Sequence, residues 1–161
     1  MEKSKVWKFN HNVDTDQIIP SQYLLLPTIE EMKAYTFEPL IKDFAKQVQP
    51  GDVIIAGENF GCGSSREQAP RVLKELGVRA VIAGSFARIF FRNAINIGLP
   101  AIICKEAYDK VKQDDVVELD MSEGLLKIGD ETLTCTRLPE YMQTILNAGG
   151  LIEFLNKEEV E

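Results

Sequence analysis

Short apolar runs alternate with helical patterns through the middle of the chain. The apolar runs occupy residues 53–56, 79–83 and 101–104. Between them, apolar residues recur at helical spacing: Ala69, Val72, Leu73 and Leu76 in the first interval, and Phe86, Ile89, Phe90, Ala94 and Ile97 in the second. Continuously apolar strands that alternate with helices are typical of a parallel sheet with helical crossovers. The pattern therefore predicts a βαβαβ unit at the centre of the chain.

Single residues predict where these two helices begin and end. Gly77 and Gly98 follow the last apolar position of each helix, as a C-terminal glycine does. Ser85 precedes the second helix and is expected to be its N-cap. Because proline is tolerated only near a helix start, Pro70 places the start of the first helix after Glu67.

The two flanks of this unit predict further elements. Strands are expected at residues 6–9, 116–120, 125–128 and 132–136, the last three antiparallel, and helices after Thr28 and from Pro139 to Leu146. Because no linker or repeat divides the chain, we predict one domain over residues 1–161, with a frayed acidic tail at residues 157–161. The predicted fold class is α/β, with a parallel βαβαβ core and additional antiparallel strands.

Composition and charge exclude several classes of function. Of the 161 residues, 45% are hydrophobic and 27% charged, as in folded globular proteins. The net charge of −7, without a basic cluster, argues against nucleic-acid or anionic-membrane partners. No apolar run could span a bilayer and the N-terminus lacks a secretion signal, so we expect a cytoplasmic protein. Cys62, Cys104 and Cys135 are odd in number and far apart, so neither a disulfide framework nor a metal site is expected in this chain.

A glycine-rich turn at residues 57–67 carries the candidate chemistry. It leaves the first apolar run at its carboxyl end, where ligands bind in parallel sheets, and it precedes a helix. Glycine lets a ligand approach the backbone, and free N–H groups at a helix start favour an anion. Arg66 adds a planar fork for a carboxylate or phosphate. The spacing matches neither a phosphate P-loop nor a dinucleotide fingerprint. We therefore predict an anion site that contains the hydroxyls of Ser64 and Ser65.

Ser64 and Glu67 also match a capping box, in which both would only serve the helix start. That explanation leaves the glycines and Arg66 unexplained. A serine that acts as a base needs an activating neighbour, and the single histidine, His11, is expected to be a surface or turn residue. If Ser64 is catalytic, the rest of the machinery must lie on another chain. A non-catalytic anion-binding module is the alternative.

Two earlier segments hold further candidates. Asp14 and Asp16 would face opposite sides of an extended chain, so at most one is expected to point into a site. The alternative is that both cap and turn the backbone. The leucines of Tyr23-Leu24-Leu25-Leu26 precede Pro27, which disfavours helix before it. They are expected in a loop that either plugs the core or binds a ligand.

Four motifs together carry a family resemblance. They are Asp14-Thr15-Asp16-Gln17-Ile18-Ile19-Pro20, Gly61-Cys62-Gly63-Ser64-Ser65-Arg66-Glu67, Gly84-Ser85-Phe86-Ala87-Arg88-Ile89-Phe90 and Ala148-Gly149-Gly150-Leu151. In this order, and over nearly the whole chain, they resemble the small subunits of the 3-isopropylmalate dehydratase family. The resemblance implies the swivelling domain of aconitase, a β/β/α barrel-like fold. It also implies a two-chain hydro-lyase for a small dicarboxylate, whose large subunit carries a [4Fe-4S] cluster. By resemblance, Cys62 is not a cluster ligand and this chain binds no cofactor.

The resemblance implies a role for each residue of the turn. Ser64 stands where the family has the serine whose alkoxide removes a proton from carbon. Ser65 and Arg66 resemble ligands of a substrate carboxylate, and Gly63 is taken with them as a substrate-binding position. Asp16 resembles the aspartate that helps order the site and is taken with Ser64 as catalytic. A serine can act as base only if a nearby cation and backbone donors lower its pKa, and the turn offers both.

The leucine loop bears on substrate choice within the family. Homoaconitase relatives carry Tyr-Leu-Arg-Thr there, with an arginine that pairs an extra substrate carboxylate, and Leu25 stands in its place. An apolar loop suits an isopropyl group and leaves a third carboxylate unpaired. Tyr23, Leu24, Leu25 and Leu26 are therefore expected to bind substrate, and the expected reaction interconverts 2- and 3-isopropylmalate in leucine biosynthesis. Subunits of homoaconitase, 2-methylmalate (citraconate) dehydratase or dimethylmalate dehydratase are alternatives, and self-association of the isolated chain stays open.

Overall fold

The computed structural model describes residues 2–160, with side chains through residue 158. Within that range, seven strands form one mixed sheet. They are β1 (Lys3–Lys8), β2 (Val53–Ala56), β3 (Ala80–Ala83), β4 (Ala101–Ile103), β5 (Val116–Asp120), β6 (Leu125–Ile128) and β7 (Glu131–Thr134). Their order is β4-β3-β2-β1-β5-β6-β7, with β1 to β4 parallel and β1, β5, β6 and β7 paired antiparallel. The predicted parallel core with additional antiparallel strands is confirmed.

The helices before β2 are short, and those after it are longer except for α6. In the same range they are α1 (Thr15–Ile18), α2 (Ile29–Met32), α3 (Phe44–Gln47), α4 (Gln68–Glu75), α5 (Arg88–Asn96), α6 (Ala107–Lys110), α7 (Glu140–Ala148) and α8 (Leu151–Val160), with 3-10 helices at Ser21–Leu25 and Lys33–Tyr35. The crossover helices α4 and α5 pack against each other, and α7 and α8 pack on α5. Among the described helices, none combines the length and the apolar character that crossing a membrane requires.

Strands β2 and β3 form the centre of the core. Every residue of both strands is buried, and helix α6 contacts both. Burial on both faces explains why these runs are continuously apolar rather than alternating. At the end of β1, Phe9 stacks on Phe37 with ring centroids 4.2 Å apart, and Phe37 packs edge-on against Phe44 at 5.0 Å. These rings belong to the same apolar core as β2 and β3.

The sheet curls until its two edge strands approach each other. The N–H of Thr136, just after β7, donates to the carbonyl of Ile103 at the end of β4 over 2.8 Å. The next buried residues along each strand, Cys104 and Cys135, lie at this junction. This contact gives the sheet the barrel-like form implied by the sequence resemblance.

Three local expectations differ from the structure or are refined by it. Ser85 does not cap α5, because the N-cap position is Ala87 and the Ser85 hydroxyl instead accepts the N–H of Asn59 at 2.8 Å. The capping box of Ser64 and Glu67 does not form, because α4 begins at Gln68 without a side-chain cap. Residues 157–160, expected to be a frayed tail, continue helix α8, whereas residue 161 lies outside the described residues.

Candidate active site

The turn after β2 is held by backbone pairing to the segment after β1. The N–H of Gly61 donates to the carbonyl of Val13 at 2.8 Å, and the N–H of Thr15 donates to the carbonyl of Cys62 at 2.9 Å. These bonds extend the parallel pairing of β1 and β2 beyond both strands. The two sequence motifs that contain these residues therefore meet in space.

The segment after β3 holds the other side of the same turn. The N–H of Phe60 donates to the carbonyl of Ser85 at 3.0 Å, and the N–H of Ala87 donates to the carbonyl of Phe60 at 2.9 Å. Helix α5 begins at the next residue, so its N-terminus lies beside the turn. Three of the four motifs thus converge at the carboxyl end of the parallel strands, where a ligand site is expected.

Glycine is required at two positions of the turn. Gly61 has φ of +83° and a Cβ there would lie 2.3 Å from Cγ of Phe90. Gly63 has φ of +88° and a Cβ there would lie 2.5 Å from Oδ2 of Asp14. Both positions therefore combine a left-handed backbone with contacts too close for any side chain.

A cavity of about 210 Å³ opens at the turn. Its walls are Thr15, Gly61, Gly63, Ser64, Ser65, Arg66, Ala87, Arg88, Ile89, Phe90 and Asn93. Ser64 and Ser65 are exposed in it. Within the described residues, the backbone N–H groups of residues 63–65 donate to no backbone carbonyl. The cavity thus offers two hydroxyls, free backbone donors and two guanidinium groups, a set suited to a carboxylate.

Arg66 is fixed by two contacts of a single nitrogen. Its Nη1 donates to Oδ1 of Asp16 at 2.9 Å and to the carbonyl of Ile19 at 3.1 Å. The hydrogen bond from Arg66, and then that from the N–H of Ser21 at 3.1 Å, lower the pKa of the Asp16 carboxyl below its usual value. Asp16 therefore stays ionised, and the guanidinium is oriented before any ligand arrives.

Asp14 and Asp16 have different roles, although they are two residues apart. Asp14 is the N-cap of α1: its carboxylate accepts the N–H of Asp16 at 2.6 Å, and the side chain of Gln17 accepts the N–H of Asp14 at 2.9 Å. This capping box confirms the capping role for Asp14. Asp16 instead reaches Arg66. Asp14 thus caps the backbone beside Gly63, and Asp16 contacts a wall residue of the cavity.

Cys62 stands beside the cavity as a thiol. Its Sγ lies 3.7 Å from the carbonyl of Val13. Burial raises the pKa of the Cys62 thiol, and the nearby Asp14 carboxylate raises it further. Among the described residues, no group of three or more His, Cys, Asp or Glu side chains is placed to hold a metal ion. The three cysteines therefore do not fit the ligand set of an iron-sulfur cluster.

The leucine loop is not the irregular loop that was expected: Ser21–Leu25 form a 3-10 helix, because Pro27 disfavours only the helical conformation of Leu26, and the segment lies outside the walls of this cavity. The ring of Tyr23 stacks on Tyr35 at 3.9 Å and its hydroxyl donates to Glu38 at 2.6 Å, which raises the pKa of Tyr23. Leu24 and Leu26 pack partly on the core. The side chain of Leu25 is 91% exposed. The structure thus brings Gly63, Ser64, Ser65, Arg66 and Asp16 together, while substrate binding by residues 23–26 stays a prediction.

Helix α5 supplies wall residues to which sequence reasoning gave no role. Arg88, Ile89 and Asn93 line the cavity from its first two turns. Ile89 and Asn93 are four residues apart, which places them on one helix face. His11, by contrast, stays a turn residue: its Nδ1 accepts the N–H of Glu58 at 2.8 Å, and its ring packs on Tyr108.

Comparisons with known proteins converge on one family. Residues 27–107 match the aconitase C-terminal domain. The isopropylmalate/citramalate isomerase small subunit of Methanocaldococcus jannaschii is 50% identical over 99% of this chain and 96% of its own length. The 3-isopropylmalate dehydratase small subunit of a Hydrogenobaculum species is 51% identical over 94% of each chain. A crystal structure of 3-isopropylmalate dehydratase from M. jannaschii superposes with a TM-score of 0.93 at 45% identity, covering 98% of this chain and 95% of that one.

Proposed function

The chain belongs to the 3-isopropylmalate dehydratase small-subunit family, whose relatives it matches over nearly its full length, and on that premise we propose that it is the small subunit of this hydro-lyase. The reaction interconverts 2-isopropylmalate and 3-isopropylmalate by dehydration and rehydration, in the leucine pathway of the cytoplasm. The observation that carries the proposal is the placement of Ser64, Ser65 and Arg66 in one cavity at the carboxyl end of β2.

Ser64 is the proposed base. Dehydration requires removal of the proton from the carbon next to the one that loses hydroxide, and the exposed Ser64 hydroxyl is the candidate acceptor in the cavity. The N–H groups of residues 63–65, which donate to no backbone carbonyl among the described residues, and the guanidinium of Arg66 in the same cavity would stabilise a negative charge on its oxygen. These groups supply the conditions under which a serine can lose its proton.

Ser65 and Arg66 are the proposed ligands of a substrate carboxylate. The contacts of Arg66 with Asp16 and Ile19 use Nη1, so the other nitrogens of its planar fork could donate to a ligand. Asp16 would act through Arg66, and Gly63, a wall residue of the cavity, would present its backbone to the substrate. Ile89 and Phe90 give the same cavity an apolar side for the isopropyl group.

A large subunit is the proposed partner, and the chain acts in it as one swivelling domain. The cavity residues would supply one half of the catalytic site, and among the described residues no group of three or more His, Cys, Asp or Glu side chains is placed to hold a metal ion. The [4Fe-4S] cluster, the Lewis acid of this class of reaction, is therefore assigned to the large subunit. Leu25 is exposed in the isolated chain, and burial of its loop against substrate or partner would remove this apolar group from water.

Citramalate, which is 2-methylmalate, is the second candidate substrate. The M. jannaschii relative at 50% identity is named an isopropylmalate/citramalate isomerase small subunit. Both substrates are small dicarboxylates that differ in the size of one alkyl group. An apolar pocket discriminates such homologues only weakly, by about 1–3 kcal/mol per methylene.

The test is reconstitution. The purified chain is combined under anaerobic conditions with an aconitase-type large subunit, and hydration and dehydration of isopropylmalate, citramalate and homocitrate are compared by kcat/KM. We expect turnover of the dicarboxylates by the pair and no turnover by either chain alone. Tight carboxylate binding by the isolated chain, with no activity in any pairing, would instead favour a non-catalytic anion-binding module.

A further inference from the structure

Thr15 makes two hydrogen bonds to the catalytic turn. Its side chain is 2% exposed, and its Oγ1 donates to the carbonyl of Ser64 at 2.7 Å. Its backbone N–H donates to the carbonyl of Cys62 at 2.9 Å. One buried residue thus holds alternate carbonyls on both sides of Gly63, whose left-handed backbone forms the bend between them.

These two bonds fix the direction of the peptide groups around Ser64. In a trans peptide the carbonyl and the following N–H point in opposite directions. Because the carbonyls of Cys62 and Ser64 point to Thr15, the N–H groups of Gly63 and Ser65 point away from it. Neither N–H donates to a backbone carbonyl in the described part of the chain. Thr15 therefore keeps two backbone donors available next to the Ser64 hydroxyl.

Thr15 is itself held in one geometry. It is the first residue of α1, directly after the N-cap Asp14, whose capping box fixes the helix start. Its carbonyl accepts the N–H of Ile19 at 2.9 Å, and a β-branched side chain has few rotamers in a helix. Its neighbours act elsewhere, Asp14 against Gly63 and Asp16 on Arg66. The hydroxyl of Thr15 is thus the side-chain contact with the Ser64 peptide.

We propose that Thr15 is the positioning residue of the base: through the Ser64 carbonyl it holds the Ser64 hydroxyl and the Ser65 N–H in the arrangement that stabilises the Ser64 alkoxide. The inference rests on the proposed function, because it assigns Thr15 to the base of that same site. Thr15 is a wall residue of the cavity but is only 2% exposed, so in this role it acts through the Ser64 peptide and not on the substrate or the transferred proton. Loss of its hydroxyl should therefore affect the chemical step more than substrate binding.

Thr15→Val, Thr15→Ser and the control Thr36→Val test this in the reconstituted complex. Thr36 is also buried, and its Oγ1 also donates to a backbone carbonyl, that of Lys33, at 2.8 Å. We expect Thr15→Val to lower kcat by about 10- to 100-fold, as misplacement of a catalytic group does, with KM little changed. Its pH-rate profile should move to higher pH, because an alkoxide with fewer donors forms less readily. Thr15→Ser should restore kcat and profile, and Thr36→Val should keep both.

A second measurement is independent of turnover. In the isolated chain, the amide resonance of Ser65 should shift and its hydrogen exchange change in Thr15→Val, but not in Thr36→Val. If Thr15→Val keeps the wild-type kcat and pH profile, or loses no more than Thr36→Val, the inference is overturned while the proposed function stands. If the wild-type complex fails to turn over isopropylmalate and citramalate, the proposed function fails. In that case an unperturbed Ser65 amide in Thr15→Val would overturn the positioning role as well.

Discussion

Nη1 of Arg66 donates to Oδ1 of Asp16 at 2.9 Å, although the two residues lie 50 positions apart in the chain. The guanidinium is largely buried, with 16% of its side chain exposed, while the carboxylate is 59% exposed. A contact of this kind joins the motif after β1 to the motif after β2. The contact orients a carboxylate-binding group. It adds little to the stability of the fold, since half-exposed ion pairs contribute little.

The pKa of Asp16 reports this contact. Replacement of Arg66 by Met removes the first cause of the lowered pKa, so we expect the Asp16 pKa to rise toward its usual value. A carboxyl whose pKa is lower in the folded than in the unfolded state stabilises the folded state at pH values above its unfolded pKa, about 3.9. This contribution is lost as the pH falls through the folded pKa. Carboxyl-carbon NMR titration of both chains measures the shift. Arg92→Met, which removes a different guanidinium from an exposed residue, serves as control. An identical Asp16 titration in wild type and Arg66→Met would refute the contact.

Arg66→Lys tests carboxylate binding in the complex. Lysine keeps the charge but cannot form the two parallel bonds of a guanidinium, so KM should rise about 10-fold or more, given about 1.5–3 kcal/mol for a charge-assisted hydrogen bond. Asp16→Asn should have a smaller effect, because the carbonyl of Ile19 also holds Nη1. Steady-state kinetics on isopropylmalate separate these effects, with Arg92→Lys as the matched control. An unchanged KM in Arg66→Lys would remove Arg66 from the substrate site.

Gly63→Ala and Gly51→Ala separate backbone strain from side-chain contact. The two glycines have similar φ, +88° and +96°, but a Cβ at Gly51 meets nothing within 4 Å, whereas one at Gly63 meets Asp14. We expect Gly51→Ala to cost about 1–2 kcal/mol of unfolding free energy from the left-handed backbone alone. Gly63→Ala should cost about 1 kcal/mol more, because Asp14 must leave its capping position. Chemical denaturation measures the loss of unfolding free energy in both variants. Equal losses would show that the Asp14 side chain moves away from the new Cβ at no cost in free energy.

Leu25→Arg tests substrate choice. Since Leu25 is 91% exposed, the substitution should change the unfolding free energy of the isolated chain by no more than about 0.5 kcal/mol. In the complex, it should move the ratio of kcat/KM toward homocitrate, because the new guanidinium can pair a third carboxylate. Leu24→Arg, at a position packed partly on the core, should instead destabilise the isolated chain. An unchanged preference in Leu25→Arg would assign specificity to other residues, with Ile89 the first candidate from the cavity wall.

The sequence predicts best those features that depend on local pattern. Strand β2 was expected at residues 53–56 and lies there, because burial on both faces requires a continuous apolar run. The N-cap role of Thr28 is confirmed by its bond to the N–H of Glu31. The start of α4 after Glu67 follows from the proline in its first turn.

Features that depend on tertiary contacts were harder to predict. The bond from Thr15 to Ser64 joins residues 49 positions apart, and nothing in the local pattern of either segment indicates it. Ser85 has the composition of an N-cap, but its hydroxyl is taken by the N–H of Asn59 from a neighbouring segment. Arg88 and Asn93 line the cavity because the fold places α5 beside the turn, and the local sequence of α5 does not indicate this position.

The central claim is that Ser64 is the base of a two-chain hydro-lyase. The most direct test is kcat of the reconstituted complex with Ser64→Ala, beside Ser122→Ala, which changes an exposed serine after β5. We expect Ser64→Ala to lower kcat by about 100- to 10,000-fold, the usual contribution of a general base, while complex assembly is unchanged. Ser122→Ala should match wild type. A Ser64→Ala complex that turns over isopropylmalate as fast as the Ser122→Ala complex would contradict the account.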